Sequence, residues 1–115
     1  MMAKTMIRKF MLGFFAMAAF GAASAALAAD LKAGETKVKE VCQACHGVDG
    51  NSQSTDYPKL SGQYPDYLAK ALRDYKSGAR KNPIMGAFAG TLSTADIENV
   101  SAYYAAQPAV LVTRH

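Results

Sequence analysis

The segment Cys42-Gln43-Ala44-Cys45-His46 decides how the rest of the chain folds. Two cysteines separated by two residues and followed at once by a histidine form the pattern of a c-type haem attachment site. On one helical turn the two thiols face the same way, so each can bond one vinyl group of the same porphyrin. The histidine then lies beneath the ring, with an imidazole nitrogen directed at the iron. The segment therefore predicts thioether bonds at Cys42 and Cys45 and an axial iron ligand at His46.

Three other interpretations of this segment are open. A redox-active dithiol of the thioredoxin type would follow a strand in a βαβ unit, and no strand pattern precedes Cys42. A zinc site usually takes four ligands, whereas the chain beyond residue 28 offers only the two cysteines, His46 and the terminal His115. A structural disulfide between the cysteines would leave His46 without a role. The motif favours haem over all three.

Residues 1–28 have the pattern of a cleaved secretory signal peptide. Lys4, Arg8 and Lys9 give a positive start, an apolar run follows over residues 10–20, and the small residues near position 28 form a cleavage site. A retained membrane anchor is the alternative, but the apolar run is short for a membrane span. We therefore expect export to the periplasm, an oxidising compartment.

Residues 29–115 are too few for two hydrophobic cores and predict a single domain, with residues 109–115 as a flexible tail. The whole chain has a net charge of +4, but three of its 13 basic residues and none of its nine acidic residues precede residue 29. The net charge of residues 29–115 is therefore +1, and basicity gives no reason to expect nucleic-acid binding. Covalent haem would add a large apolar body to a small core.

Hydrophobic spacing predicts three helices and no strand. The first covers residues 30–45, and the second covers residues 64–77 with the clearest amphipathic pattern. The third covers residues 93–107 and begins at Ser93, with Asp96 as the partner in a capping box. The chain is therefore predicted to be all-α.

The segments 47–63 and 79–91 are predicted to be loops. Because Pro83 lacks an N–H and breaks helices, Met85 is expected on an extended segment. Met85 is the only methionine of residues 29–115. Core packing is the usual role of a lone methionine, but His115 lies at the end of the tail and a lysine ligand would have to be deprotonated. Met85 is therefore predicted to be the second axial ligand.

Two further positions are predicted to belong to the haem pocket. A carbonyl in the loop near Pro58 is expected to accept a hydrogen bond from the second imidazole nitrogen of His46, which fixes the ring and raises its basicity. A rigid turn proline is the alternative. Tyr64 shares an apolar helix face with Tyr67 and Tyr75, and the three predict a wall against a large flat group, although core packing also explains them.

With these features in place, the chain resembles the class I c-type cytochromes. It is most similar to the small soluble bacterial monohaem type and to single domains of the cytochrome c4 group. The resemblance implies a cytochrome c fold of three main helices with loops wrapped around one covalent haem c. It also implies thioethers at Cys42 and Cys45, axial ligation by His46 and Met85, and a positioning role for Pro58. The segments that carry the resemblance are 42–47, 58–63, 67–68, 78–85, 92–97 and 102–104.

The resemblance further implies that the first and last helices cross, with Gly34 packed against the aromatic pair near Tyr103. From the residues alone, a glycine inside a helix costs about 1 kcal/mol relative to alanine and indicates either a close approach or a frayed helix start. The chain departs from many relatives at Val38, four residues before the first cysteine, where they have an aromatic residue.

The predicted function is a periplasmic electron carrier that is not an enzyme. With two protein ligands, the iron has no open site for oxygen or substrate and cycles between the ferrous and ferric states. Expected partners are redox proteins, a reductase and a terminal oxidase or dehydrogenase, met through small interfaces. No nucleic acid and no stable membrane insertion is expected. The alternatives are a haem c subunit of a larger oxidase or dehydrogenase complex, and a five-coordinate haem sensor or enzyme in which Met85 is displaced.

Overall fold

The computed structural model describes residues 28–110, and every regular element in that range is helical. This confirms the all-α prediction. Residues 1–27 of the predicted signal peptide and residues 111–115 of the predicted tail lie outside the described residues. Among the residues that are described, no helix is long and apolar enough to cross a membrane. The elements are α1 (Leu31–Lys37), a π-helical turn (Val38–Cys42), α2 (Gln43–His46), α3 (Pro65–Ser77), α4 (Pro83–Gly90) and α5 (Thr94–Ala105).

The first predicted helix is a continuous helical segment with a π-helical turn in its middle. Asp30 caps its start, because the Asp30 carboxylate accepts a hydrogen bond from the Ala33 N–H at 3.0 Å. The Gln43 N–H donates to the Val38 carbonyl, five residues earlier, which is the spacing of a π-helix. The wider turn changes the helical register just before the attachment motif, a feature that the hydrophobic spacing does not reveal.

The helices α1 and α5 cross at Gly34. A Cβ atom at this position would lie 3.0 Å from the Tyr103 Cβ and still closer to the backbone carbonyl of Asn99. The Asp30 N–H donates to the Asn99 side-chain oxygen at 2.8 Å, close to the same crossing. The glycine therefore marks a close approach of two helices, as the resemblance implied, and not a frayed helix start.

The core lies where α1, α3 and α5 meet. Val38 is fully buried and packs in one cluster with Leu68, Val100 and Tyr104. The position at which the resemblance led us to expect an aromatic residue is thus a core position here, filled by the smaller side chain of Val38. A second cluster, under α3 and the start of α5, consists of Ala69, Leu92 and Ile97.

The second predicted helix is shorter by one residue than the spacing suggested. Tyr64 has extended backbone angles and is the N-cap residue, and Pro65 occupies the first helical position, where its missing N–H costs nothing. Gly78 ends the helix in the left-handed conformation, as expected of a C-terminal cap.

The prediction that residues 79–91 form a loop is wrong, because this segment contains α4. Pro83 is in the first turn of that helix, where no N–H is needed. The Asn82 side-chain oxygen accepts hydrogen bonds from the Ile84 and Met85 N–H groups, both at 3.0 Å. The proline therefore starts a helix, and Met85 lies in its first turn and not on an extended segment.

The predicted capping box of α5 is confirmed. The Asp96 N–H donates to the Ser93 hydroxyl at 3.0 Å, and the Ser93 N–H donates to the Asp96 carboxylate at 2.9 Å. These bonds lower the pKa of Asp96, the backbone N–H of Ser93 being the largest cause. The helix ends at Ala105, two residues before the predicted end.

Substitution of Gly34 by alanine should destabilise the fold, because the added methyl group would collide with the α5 backbone. We expect the free energy of unfolding to fall by about 1–3 kcal/mol, the usual cost of overpacking, measured by chemical denaturation. Gly90→Ala is the matched control, since no atom lies within 4 Å of a Cβ at that position. Equal stability of the two variants would contradict the proposed close approach.

Candidate haem site

A cavity of about 340 Å³ is bounded by the end of the first helical segment, by α3, α4 and α5, and by the loop after His46. This volume lies in the range of roughly 300–1,000 Å³ that is common for cofactor pockets. The lining is mostly apolar, which suits a large flat hydrophobic group. The apolar lining side chains include Val41, Leu68, Ala71, Leu72, Phe88, Leu92 and Val100.

The cavity brings together five of the six residues that the sequence proposed for the site. These are Cys42, Cys45, His46, Pro58 and Met85. They come from distant parts of the chain, namely the attachment turn, the following loop and the first turn of α4. The tertiary structure brings these residues together in one cavity, which the spacing of residues in the sequence does not show.

Tyr64 is the exception, and its assignment to the pocket is corrected by the structure. Its side chain is 79% exposed, and it is not among the residues that line the cavity. Because Tyr64 precedes the first helical residue, its side chain does not continue the apolar face of α3. Tyr67 and Tyr75, which lie within the helix, line the cavity instead.

His46 is held in a fixed orientation. The ring is 7% exposed, and its Nδ1 lies 2.9 Å from the Pro58 carbonyl oxygen. Since a carbonyl can only accept, Nδ1 carries the proton and donates, which leaves Nε2 with its lone pair. The predicted hydrogen bond is therefore confirmed, and it determines which imidazole nitrogen is free to bind a metal.

The two thiols do not have the properties of a redox-active dithiol. Both Cys42 and Cys45 are free and partly buried. Burial raises the pKa of the Cys42 thiol to about 11, and the nearby charge of Lys37 opposes this only in part. Dithiol oxidoreductases lower the pKa of the attacking thiol, so the environment of Cys42 argues against that class.

A protein zinc site also lacks support in residues 28–110. Within them, no three His, Cys, Asp or Glu side chains are grouped so that they could share a metal ion. The fourth ligand considered from the sequence, His115, lies outside the described residues.

Tyr104 ties the loop after the attachment motif to α5. Its side chain is 1% exposed, and its hydroxyl donates to the Gly47 carbonyl at 2.9 Å. Its own carbonyl accepts from the Gly62 N–H at 3.0 Å. Gly50 (φ +73°) passes so close that a Cβ would lie 2.7 Å from the Tyr104 ring. Nothing in the sequence indicated which carbonyl the Tyr104 hydroxyl reaches.

Arg80 adds a positive charge to the lining that the sequence analysis did not include in the site. Its guanidinium carbon lies 4.8 Å from the centre of the Tyr75 ring, within the distance of a cation–π contact. The pKa of Arg80 is raised. The largest cause is a hydrogen bond with the Tyr67 side chain, and the second is the electrostatic interaction with Tyr75. The spacing of Tyr67 and Tyr75 on α3 was the available signal, since the Tyr75 ring contacts the Arg80 cation.

Comparison with known proteins identifies the family. The family model described as "Cytochrome C oxidase, cbb3-type, subunit III" matches residues 29–103. The chain belongs to this family of c-type cytochromes. This family assignment agrees with the resemblance noted in the sequence and confirms the prediction of haem c as the cofactor, with one attachment motif for one haem.

The relatives of this cytochrome differ in length. Cytochrome c4 of Thiocapsa roseopersicina is 44% identical over 86 residues, which are 75% of this chain and 44% of the relative. Cytochrome c-554(548) of Halomonas halodenitrificans is 41% identical over 83 residues, which are 70% of this chain and 99% of the relative. The chain thus spans less than half of the cytochrome c4 relative.

A solved structure confirms the fold. The crystal structure of reduced recombinant cytochrome c4 from Pseudomonas stutzeri matches with a TM-score of 0.65 and 42% sequence identity. The match covers 70% of this cytochrome and 47% of that chain. The predicted cytochrome c fold is therefore correct, with α4 as an element that the sequence analysis had treated as loop.

The lining of the cavity fits haem c. Two free thiols lie on the attachment turn with two residues between them, one imidazole has a free Nε2, and a thioether side chain reaches the same cavity from α4. These are the donor types that c-type cytochromes use.

Tyr104→Phe should weaken the attachment of the loop to α5, because it removes the hydrogen bond to Gly47. We expect the free energy of unfolding to fall by about 0.5–1.5 kcal/mol, as measured by denaturant titration. Tyr103→Phe serves as the control, since that side chain is only partly buried. An equal or larger effect at Tyr103 would show that the Tyr104 hydroxyl has no special role.

Proposed function

We propose that this cytochrome is a periplasmic carrier of single electrons, with His46 and Met85 as the axial ligands of one haem c bound covalently through Cys42 and Cys45. One observation carries the proposal: the side chains of all four residues reach the same largely apolar cavity. Haem c supplies reversible one-electron chemistry when bound. The chain itself supplies ligands, orientation and a shielded environment.

His46 contributes a ligand whose geometry is set in advance. The bond from its Nδ1 to the Pro58 carbonyl fixes the tautomer and the plane of the ring. Such an outer hydrogen bond also increases the basicity of the nitrogen that faces the metal. A ligand that does not have to reorient keeps the site similar in both oxidation states, which favours rapid electron transfer.

Met85 contributes a soft thioether from a rigid helix start. The Asn82 side chain holds the Met85 N–H at 3.0 Å, and the Met85 side chain is partly buried at the cavity. Thioether ligation favours the ferrous state and raises the reduction potential. The apolar lining acts in the same direction, because it disfavours the additional positive charge of the ferric state.

The same proposal covers processing and location. Residues 1–28 have the charge pattern, apolar run and small residues of a signal peptide. Its removal leaves residues 29–115 as one cytochrome domain in the periplasm, and the family match over residues 29–103 is consistent with this division. Its partners are redox proteins that it meets briefly.

A second candidate is a haem c subunit that stays bound in an oxidase or dehydrogenase complex. The description of the matching family, which names an oxidase subunit, is the observation that favours it. Both candidates use the same cavity and the same ligands. They differ only in whether the domain dissociates from its partner.

The optical spectrum of the mature protein tests the ligand assignment. We expect a low-spin spectrum with the weak far-red sulfur-to-iron band, and we expect haem to stay on the chain in a denaturing gel. Met85→Ala should remove the far-red band and let the ferrous protein bind carbon monoxide at neutral pH, because the sixth position is then open.

Lys81→Ala is the matched control, since Lys81 lies close to Met85 in the chain, is exposed and does not line the cavity. It should keep the spectrum of the unmutated protein. A high-spin spectrum before mutation, or a sulfur band that survives Met85→Ala, would reject the ligand pair and favour the five-coordinate sensor or enzyme.

Gel filtration of periplasmic extracts separates the carrier from the bound subunit. A carrier should elute at the size of one small domain, because transient redox interfaces are small and weak. Persistent co-elution with an oxidase or dehydrogenase, at levels of expression from its own promoter, would instead support the subunit.

A further inference from the structure

Ser101 is a buried polar residue in the cavity lining that the function described so far does not use. Three polar side chains of the lining are more than nine-tenths buried, namely His46, Ser101 and Tyr104. His46 bonds the Pro58 carbonyl, and Tyr104 bonds the Gly47 carbonyl. The Ser101 side chain is 1% exposed, and its oxygen has no hydrogen-bond partner among the described residues.

An isolated buried hydroxyl is unfavourable for folding, so such groups nearly always have a partner. A serine inside a helix often bonds the carbonyl four residues earlier, which here would be that of Ile97. The structure does not contain that bond. Ser101 instead lies on the buried face of α5 that borders the cavity, between Val100 and Tyr104. Its hydroxyl is therefore available to whatever fills the cavity.

We propose that the Ser101 hydroxyl contacts the bound haem and lowers its reduction potential relative to a fully apolar lining. The proposal rests on the haem assignment made above. A hydroxyl dipole next to the redox group can turn its oxygen towards the more positively charged ferric state, which it thereby stabilises. Leu68, Leu72, Leu92 and Val100 are apolar members of the same lining, and Tyr104, the next buried polar side chain along α5, has its hydroxyl bound to the Gly47 carbonyl. The low polarity of the apolar members strengthens the interaction of a hydroxyl dipole with the redox group.

Redox titration of the haem-loaded mature protein tests this role. Ser101→Ala should shift the midpoint potential upwards, because the ferric state loses its stabilising dipole. Ser101→Thr keeps the hydroxyl and should restore a potential close to that of the unmutated protein. Ser52→Ala is the matched control, since Ser52 is also buried, bonds the Ser54 carbonyl at 2.9 Å and does not line the cavity. It should leave the potential unchanged.

Thermal unfolding of the same haem-loaded variants provides a second readout. If the Ser101 hydroxyl has a hydrogen-bond partner in the haem-loaded protein, Ser101→Ala should not raise the melting temperature. If the hydroxyl has no partner in the haem-loaded protein, Ser101→Ala should raise the melting temperature, because the cost of burying an unpaired hydroxyl is removed. An unchanged or lower potential in Ser101→Ala, especially with a higher melting temperature, would overturn the proposal. The proposal would also be overturned if Ser101→Thr shifted the midpoint potential as far from that of the unmutated protein as Ser101→Ala does.

These outcomes are distinct from those that test the function. If the unmutated protein showed no covalent haem or no sulfur ligation, the proposed function would fail before Ser101 was examined. If the unmutated protein has the expected spectrum but the Ser101 variants have the same midpoint potential as the unmutated protein, only the proposed role of Ser101 fails.

Discussion

The close crossing of α1 and α5 at Gly34 is the constraint on which the rest of the structure depends. Because a single hydrogen atom is all that fits between the two backbones there, α5 can bring Val100 and Tyr104 against Val38. This packing fixes the direction in which the first helical segment enters the attachment turn. The positions of the two thiols and of the imidazole follow from a contact that lies about two to three helical turns before them in the chain.

Tyr104 transmits that constraint to the loop. From α5 its hydroxyl holds the carbonyl of Gly47, the residue after His46, and its backbone holds Gly62. The loop between them turns back on itself at Gly50, whose carbonyl accepts hydrogen bonds from the Leu60 and Ser61 N–H groups. Its closure brings Pro58 to the imidazole. The orientation of the proximal ring is thus set by helix packing and loop closure together, and not by the attachment motif alone.

The sequence predicted those features that depend on local chemistry. The five-residue motif, the amphipathic face of α3 and the Ser93–Asp96 capping box each depend on residues close in the chain, and each is present. Pro83 was misjudged because a proline is compatible with a loop or with a helix start, and the Asn82 cap decides between them. Tyr64 was wrongly assigned to the pocket for a related reason. The helix starts one residue later than predicted, so Tyr64 is the N-cap residue and does not share the buried face of α3. The hydroxyl bond of Tyr104 and the isolated hydroxyl of Ser101 depend on how distant segments pack, for which the residue pattern has no signal. The π-helical turn is closed locally, by the Gln43 N–H and the Val38 carbonyl, but the hydrophobic spacing does not indicate it.

The three buried polar groups of the cavity lining differ in whether they have a hydrogen-bond partner within residues 28–110. The imidazole of His46 and the hydroxyl of Tyr104 each donate to a backbone carbonyl of the loop, which holds the geometry of the site. The Ser101 hydroxyl has no partner among these residues, although a serine on a helix can bond the carbonyl four residues earlier. A polar atom kept at such a place acts on the contents of the cavity. The apolar side chains around the Ser101 hydroxyl lower the local polarity, and this strengthens the electrostatic interaction of the hydroxyl dipole with the group in the cavity.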